Sequence, residues 1–99
     1  MVSGYKILWT DHALIELADT YEYLVVNFTE RELKQLSAEI DKTLRLIAQN
    51  PSLFPLSESR GIHRAIVKKY NTIYYREKKG YVEILSFFSN RQNPNKIKL

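Results

Sequence analysis

Two helical patterns with almost nothing between them set the folding problem for this chain. Leu14, Leu17, Ala18, Tyr21, Leu24, Val25 and Phe28 recur at spacings of three and four, one face of an amphipathic helix over roughly residues 11–27. Thr10 or Asp11 can cap its start, because either side chain accepts from the free N–H groups of the first turn. Thr29-Glu30-Arg31-Glu32 then matches a capping box, in which Thr29 caps and Glu32 reaches back to its N–H. Leu33, Leu36, Ile40, Leu44 and Ile47 line a second helix, which ends at Asn50-Pro51 because proline disfavours helix in the residue before it. With so short a link the helices fold back as an antiparallel hairpin. A hairpin of this kind leaves an apolar side uncovered, so a sheet or a third helix has to cover it.

The rest of the chain supplies a sheet. Tyr5 to Trp9 is a short run of aromatic and branched residues and reads as a strand. Residues 51–62, with two prolines, a glycine and three serines, read as a loop from which Phe54 and Leu56 tuck into the core. His63 to Lys68 alternates imperfectly, with Ala65 and Val67 on one face and Arg64, Ile66 and Lys68 on the other. A tight turn near Lys69-Tyr70 leads to a strand over Asn71 to Arg76. Lys78-Lys79-Gly80 is the next hairpin turn, with Gly80 free to take a positive φ. Val82 to Phe88 is apolar at almost every position, which predicts a central strand covered on both sides, with Tyr5 to Trp9 beside it. The expected fold is α+β, a single domain over residues 1–99 in the order β-α-α-β-β-β. Its helical hairpin lies on one face of a four-stranded, mostly antiparallel sheet.

Composition removes several classes of function. The chain has no cysteine, which excludes disulfides and thiolate zinc sites, and its two histidines are too few for a convincing metal cluster. No apolar run approaches the length needed to cross a bilayer, and the start reaches charged residues at once, unlike a signal peptide. The expectation is a soluble cytoplasmic protein that uses no metal or cofactor.

Charge is divided unevenly along the chain. Residues 1–50 hold five Lys/Arg against eight Asp/Glu, and residues 51–99 hold ten against three, so the halves carry −3 and +7. A basic half on a small domain attracts nucleic acid, an acidic protein or a membrane surface. Arg64, Lys68, Lys69, Tyr70, Tyr74, Tyr75, Arg76 and Arg91 interleave cations and aromatics on the strands. Guanidinium groups pair with phosphate and tyrosine rings stack on unpaired bases. The alternative is an exposed strand edge guarded by charge. His63 starts a strand near this basic face, where a neutral imidazole can take a proton from a ribose 2′-hydroxyl; the alternative is an ordinary surface histidine. His12 is given no role, and Asp11, Glu16, Asp19 and Glu22 read as the solvated side of the first helix.

The segment order, together with HRAIVKKYNTIYYRE and VEILSFFSNRQNPNK, resembles the RelE/ParE superfamily. These are small basic toxins of bacterial type II toxin–antitoxin systems, often labelled plasmid stabilisation proteins, and the resemblance covers nearly the whole chain. It implies a cognate antitoxin as partner and one of two activities. RelE-like members are metal-independent endoribonucleases that cleave mRNA on the ribosome: the 2′-hydroxyl attacks the adjacent phosphate while basic side chains hold the developing charge. ParE-like members poison DNA gyrase. The expected activity is the RelE-like cleavage, with gyrase inhibition, or an inactive toxin fold that only binds an antitoxin, as alternatives. The resemblance matches Arg91 to an arginine at the scissile phosphate and Arg64 to a basic residue on the first strand of the meander. Asn71 stands where ribonuclease members carry another arginine, and the tail after Arg91 has neither tyrosine nor histidine. His63 or Tyr74 is then the candidate for proton transfer, and Lys68, Lys69 and Arg76 are candidates for holding the RNA backbone.

Overall fold

A computed structural model of the chain describes residues 4–57 and 61–90. It contains β1 (Lys6–Trp9), α1 (Asp11–Asn27), α2 (Glu30–Gln49), β2 (Ile62–Val67), β3 (Asn71–Lys78) and β4 (Tyr81–Ser89). The strands form one sheet in the order β1-β4-β3-β2, antiparallel except for the β1–β4 pair, which is parallel. The expected element order and the expected place of β1 beside β4 are both observed.

Both helices begin where their capping residues predict. The Thr10 hydroxyl accepts from Ala13 N at 3.2 Å, and the Thr29 hydroxyl accepts from Glu32 N at 3.3 Å. Thr10 also fastens the helix to the sheet: its N–H and its hydroxyl both donate to Ile84 O, at 3.1 and 2.8 Å. In α2 the buried stripe is Leu36, Ile40, Thr43 and Ile47, flanked by half-buried Leu33 and Leu44.

α1 buries a stripe that only partly coincides with the expected one. Ala13, Thr20 and Leu24 are buried and Leu17, Tyr21, Tyr23 and Phe28 pack partly against them, whereas Leu14, Ala18 and Val25 face solvent. The cause is that α1 is apolar on two sides. Ile15 and Val26 are 61% and 76% exposed, so spacing alone cannot say which side meets the sheet. The loop reading needs a similar correction: Phe54 packs against the core, but Leu56 is 59% exposed and instead bridges to His63 along the edge of β2.

The core lies between the hairpin and one face of the sheet, where Ala65, Val67, Ile73, Tyr75, Val82, Ile84 and Phe87 are buried. β4 is central, as expected, but it is not covered on both sides. Val82, Ile84 and Phe87 face the helices while Phe88 is 38% exposed. Its apolar run conceals a β-bulge: Tyr74 pairs with Ser86 and Tyr75 with Ile84, leaving Leu85 unopposed. Glu16, expected on the solvated side of α1, reaches this bulge. Its Oε1 accepts from Ser86 Oγ at 2.7 Å and from Phe87 N at 2.8 Å.

Candidate functional site

The free face of the sheet follows from alternation. With Ala65 and Val67 buried under the helices, Arg64 and Ile66 point the other way, and both are exposed. The register sets Tyr74 opposite Arg64 and places Ile66, Thr72 and Phe88 in one row across the strands. This part of the face therefore carries two exposed apolar residues, Ile66 at 61% and Phe88 at 38%, with Thr72 between them, beside the opposed pair Arg64 and Tyr74.

His63 is not part of it. Its strand parity is that of Ala65, so it lies on the helix side, opposite Tyr75 in the register. The imidazole stacks on the Tyr75 ring with centroids 5.0 Å apart, and its Nδ1 is 2.8 Å from Phe54 O. A carbonyl can only accept, so Nδ1 carries the proton and donates. The expected grouping of His63 with Arg64 is not what the strand geometry gives. The sequence already held the signal, because residues 63, 65 and 67 share one parity.

Arg76 reaches the free face but is engaged there: one of its terminal nitrogens lies 3.3 Å from Glu83 Oε1, and the two residues are directly opposed in the register. Lys68 and Lys69 stand in the β2–β3 turn, outside the strands. Lys68 Nζ donates to Gln35 Oε1 at 3.3 Å, and Lys69 Nζ lies 5.7 Å from the centroid of the Tyr70 ring. Arg91 lies outside the described residues. Of the expected set, the structure brings together Arg64 and Tyr74 on the free face and Lys68 and Lys69 in the turn, and it separates His63 from both.

Sequence reasoning missed the part played by Asn71. The residue is buried on the helix side, where its Nδ2 donates to Val67 O at 3.1 Å and closes the turn. The cleft beside it, lined by Thr20, Leu24, Leu36, Lys68, Asn71 and Ser89, encloses about 20 Å³, which is room for a water molecule and not for a substrate. Tyr75 is buried and donates its hydroxyl to Pro51 O at 2.8 Å; burial is the main cause that pushes its phenol up to about 12. Its role is structural, as a neutral donor that ties the loop after α2 to the sheet. Among the described residues no cluster of His, Asp or Glu could hold a metal ion, and no helix is long and apolar enough to cross a membrane.

The architecture is shared with solved proteins of toxin–antitoxin systems. A solved chain from the chromosomal ParDE toxin–antitoxin system of P. aeruginosa superposes with a TM-score of 0.72 at 18% identity, covering 86% of this chain and 95% of that one. The YoeB dimer from Staphylococcus aureus gives 0.59 at 18% identity, covering 85% and 94%. Comparison with the curated proteins finds no match. The family model described as the ParE toxin of the type II toxin–antitoxin system parDE matches residues 7–94, so this chain belongs to the ParE toxin family. It is a type II toxin with a two-helix, mixed four-stranded toxin fold, and its family pairs such a toxin with a cognate antitoxin.

Proposed function

We propose that this toxin acts by binding its target and not by cleaving RNA. The target is DNA gyrase, the mode that the resemblance attaches to the ParE branch. The observation that supports this reading most is the position of His63. Metal-independent cleavage needs a group that takes the 2′-hydroxyl proton and a group that returns one to the leaving oxygen, both beside a phosphate held by cations. His63 has its Nδ1 proton on Phe54 O and its ring against Tyr75, on the side of the sheet away from Arg64.

Two further observations point the same way. Glu83, a carboxylate that the register brings beside Arg76, is bound to that arginine. Asn71 stands in the place of a ribonuclease arginine, and its amide is spent on the turn. Among the described residues, those around Arg64 on the free face are Tyr74 and the row Ile66, Thr72 and Phe88, which suits a protein partner better than a reacting phosphate.

A supercoiling assay with purified protein and gyrase tests the proposal. Supercoiling should stop, or broken DNA should accumulate on the enzyme, at a modest molar excess of toxin. Unaffected gyrase at large excess would remove gyrase as the target.

A further inference from the structure

The β2–β3 turn carries backbone strain. Lys68 and Lys69 have φ angles of +50° and +67°, while the other positive φ angles among the described residues belong to Gly61 and Gly80. This left-handed region crowds the Cβ of an ordinary residue against its own carbonyl, and glycine or asparagine would sit there at little cost. Two consecutive lysines hold it because the turn is closed from three directions. Asn71 Nδ2 donates to Val67 O at 3.1 Å, Tyr70 N to Lys68 O at 2.6 Å, and Asn90 N to Tyr70 O at 2.8 Å. Strain persists where the surroundings over-determine it, and such places collect at functional sites.

The strained turn presents two cations and a ring. Lys68 and Lys69 are exposed, Tyr70 is 40% exposed, and Lys69 Nζ sits 5.7 Å from the centroid of its ring. Phosphates bind ammonium groups, and an unstacked base binds an aromatic face. A duplex keeps its base faces covered, and an acidic peptide would use the cations alone. We propose that the Lys68-Lys69-Tyr70 turn is a contact site for an unpaired nucleic-acid strand, and that Asn71 positions it by closing the turn. In this chain the position where ribonuclease relatives carry an arginine builds the turn, and the cations stand in the turn itself. The proposal does not depend on the gyrase reading. A toxin that spares gyrase can still bind a strand here, and one that inhibits gyrase can fail to.

The test is fluorescence anisotropy with single-stranded DNA and RNA of about ten nucleotides, within the usual site size of such grooves. A hairpin duplex and a polyglutamate peptide serve as the other probes. Binding to either single strand supports the site, and the tighter of the two names its source. Lys68→Asn with Lys69→Asn should weaken strand binding about tenfold at low salt. It should also make the log–log salt dependence shallower by about 1.4, from about 0.7 per phosphate contact. The thermal midpoint should stay level or rise, because asparagine accepts the left-handed conformation. Lys68→Arg with Lys69→Arg should restore binding, and Tyr70→Leu should lose about tenfold through stacking.

The same charge removed at the far end of the hairpin, by Lys78→Asn with Lys79→Asn, should leave the salt slope unchanged. Equal losses from both lysine pairs would reduce the effect to net charge and overturn the proposal. So would tighter binding of the duplex or of polyglutamate, or strand binding untouched by the turn variants.

Discussion

The imidazole of His63 lies flat against the ring of Tyr75, with centroids 5.0 Å apart and planes 12° from parallel. Each partner also holds the loop that follows α2, His63 through Phe54 O and Tyr75 through Pro51 O, both at 2.8 Å. Tyr75→Phe keeps the stacked pair and removes one of these bonds, leaving a buried carbonyl without its donor. Stability should fall by about 1–2 kcal/mol, lowering the thermal midpoint by about 4–8 °C per kcal/mol for a domain of this size. Thermal unfolding followed by circular dichroism reads it.

Alkaline pH should act on the same residue. The Tyr75 phenol stands at about 12, raised mainly by burial; a hydrogen bond from the Phe54 backbone lowers it, and the Glu77 charge raises it again. An unfolded tyrosine ionises near its ordinary value of about 10, so the unfolded chain loses this proton first. The contribution is intact below pH 10 and is lost as pH rises from about 10 to 12. Urea midpoints between pH 8 and 11.5 should fall more steeply for the wild type than for Tyr75→Phe, which lacks the ionising group.

Glu16 fixes the bulge in β4 from outside the sheet, accepting from both Ser86 Oγ and Phe87 N. Glu16→Ala leaves an N–H and a hydroxyl without a partner in a half-buried place. It should cost about 2 kcal/mol, since bonds to charged groups contribute about 1.5–3 kcal/mol. Glu16→Gln keeps an oxygen acceptor and should cost less. Chemical denaturation of the two variants gives the order, and equal stabilities would deny that the carboxylate holds the bulge.

The two sides of α1 should respond differently to substitution. Leu24 is 4% exposed, so Leu24→Ala should cost about 2–5 kcal/mol. Val26 is 76% exposed and Leu14 46%, so Val26→Lys and Leu14→Lys should stay within about 0.5 kcal/mol of the wild type. Denaturant midpoints of the three variants check the corrected helix face directly.

Much of the fold was legible because local chemistry and periodicity agreed. Thr10, one of the two candidates for the first helix, and Thr29 cap their helices, Pro51 marks the end of α2, and β2 to β4 lie close to their expected positions. Three features were not legible for physical reasons. The buried side of α1 is ambiguous in a helix that is apolar on two sides, and only the sheet decides between them. The bulge at Leu85 breaks the two-residue period within a run whose residues are nearly all apolar, so the pattern carries no mark of it. The left-handed turn holds lysines where asparagine or glycine would announce it, and its cause is a buried amide at Asn71. At the candidate site, Arg64 and Tyr74 share a face in the structure, and the side of His63 could have been read from Ala65 and Val67.

The central claim is that this toxin acts by binding. The most direct measurement maps mRNA 5′ ends in cells induced to make the wild-type protein, beside cells making Arg64→Ala. The predicted result is growth arrest by the wild type and no new ribosome-dependent cuts in either. Cuts that appear with the wild type and vanish with Arg64→Ala would contradict it and give Arg64 a part in RNA cleavage.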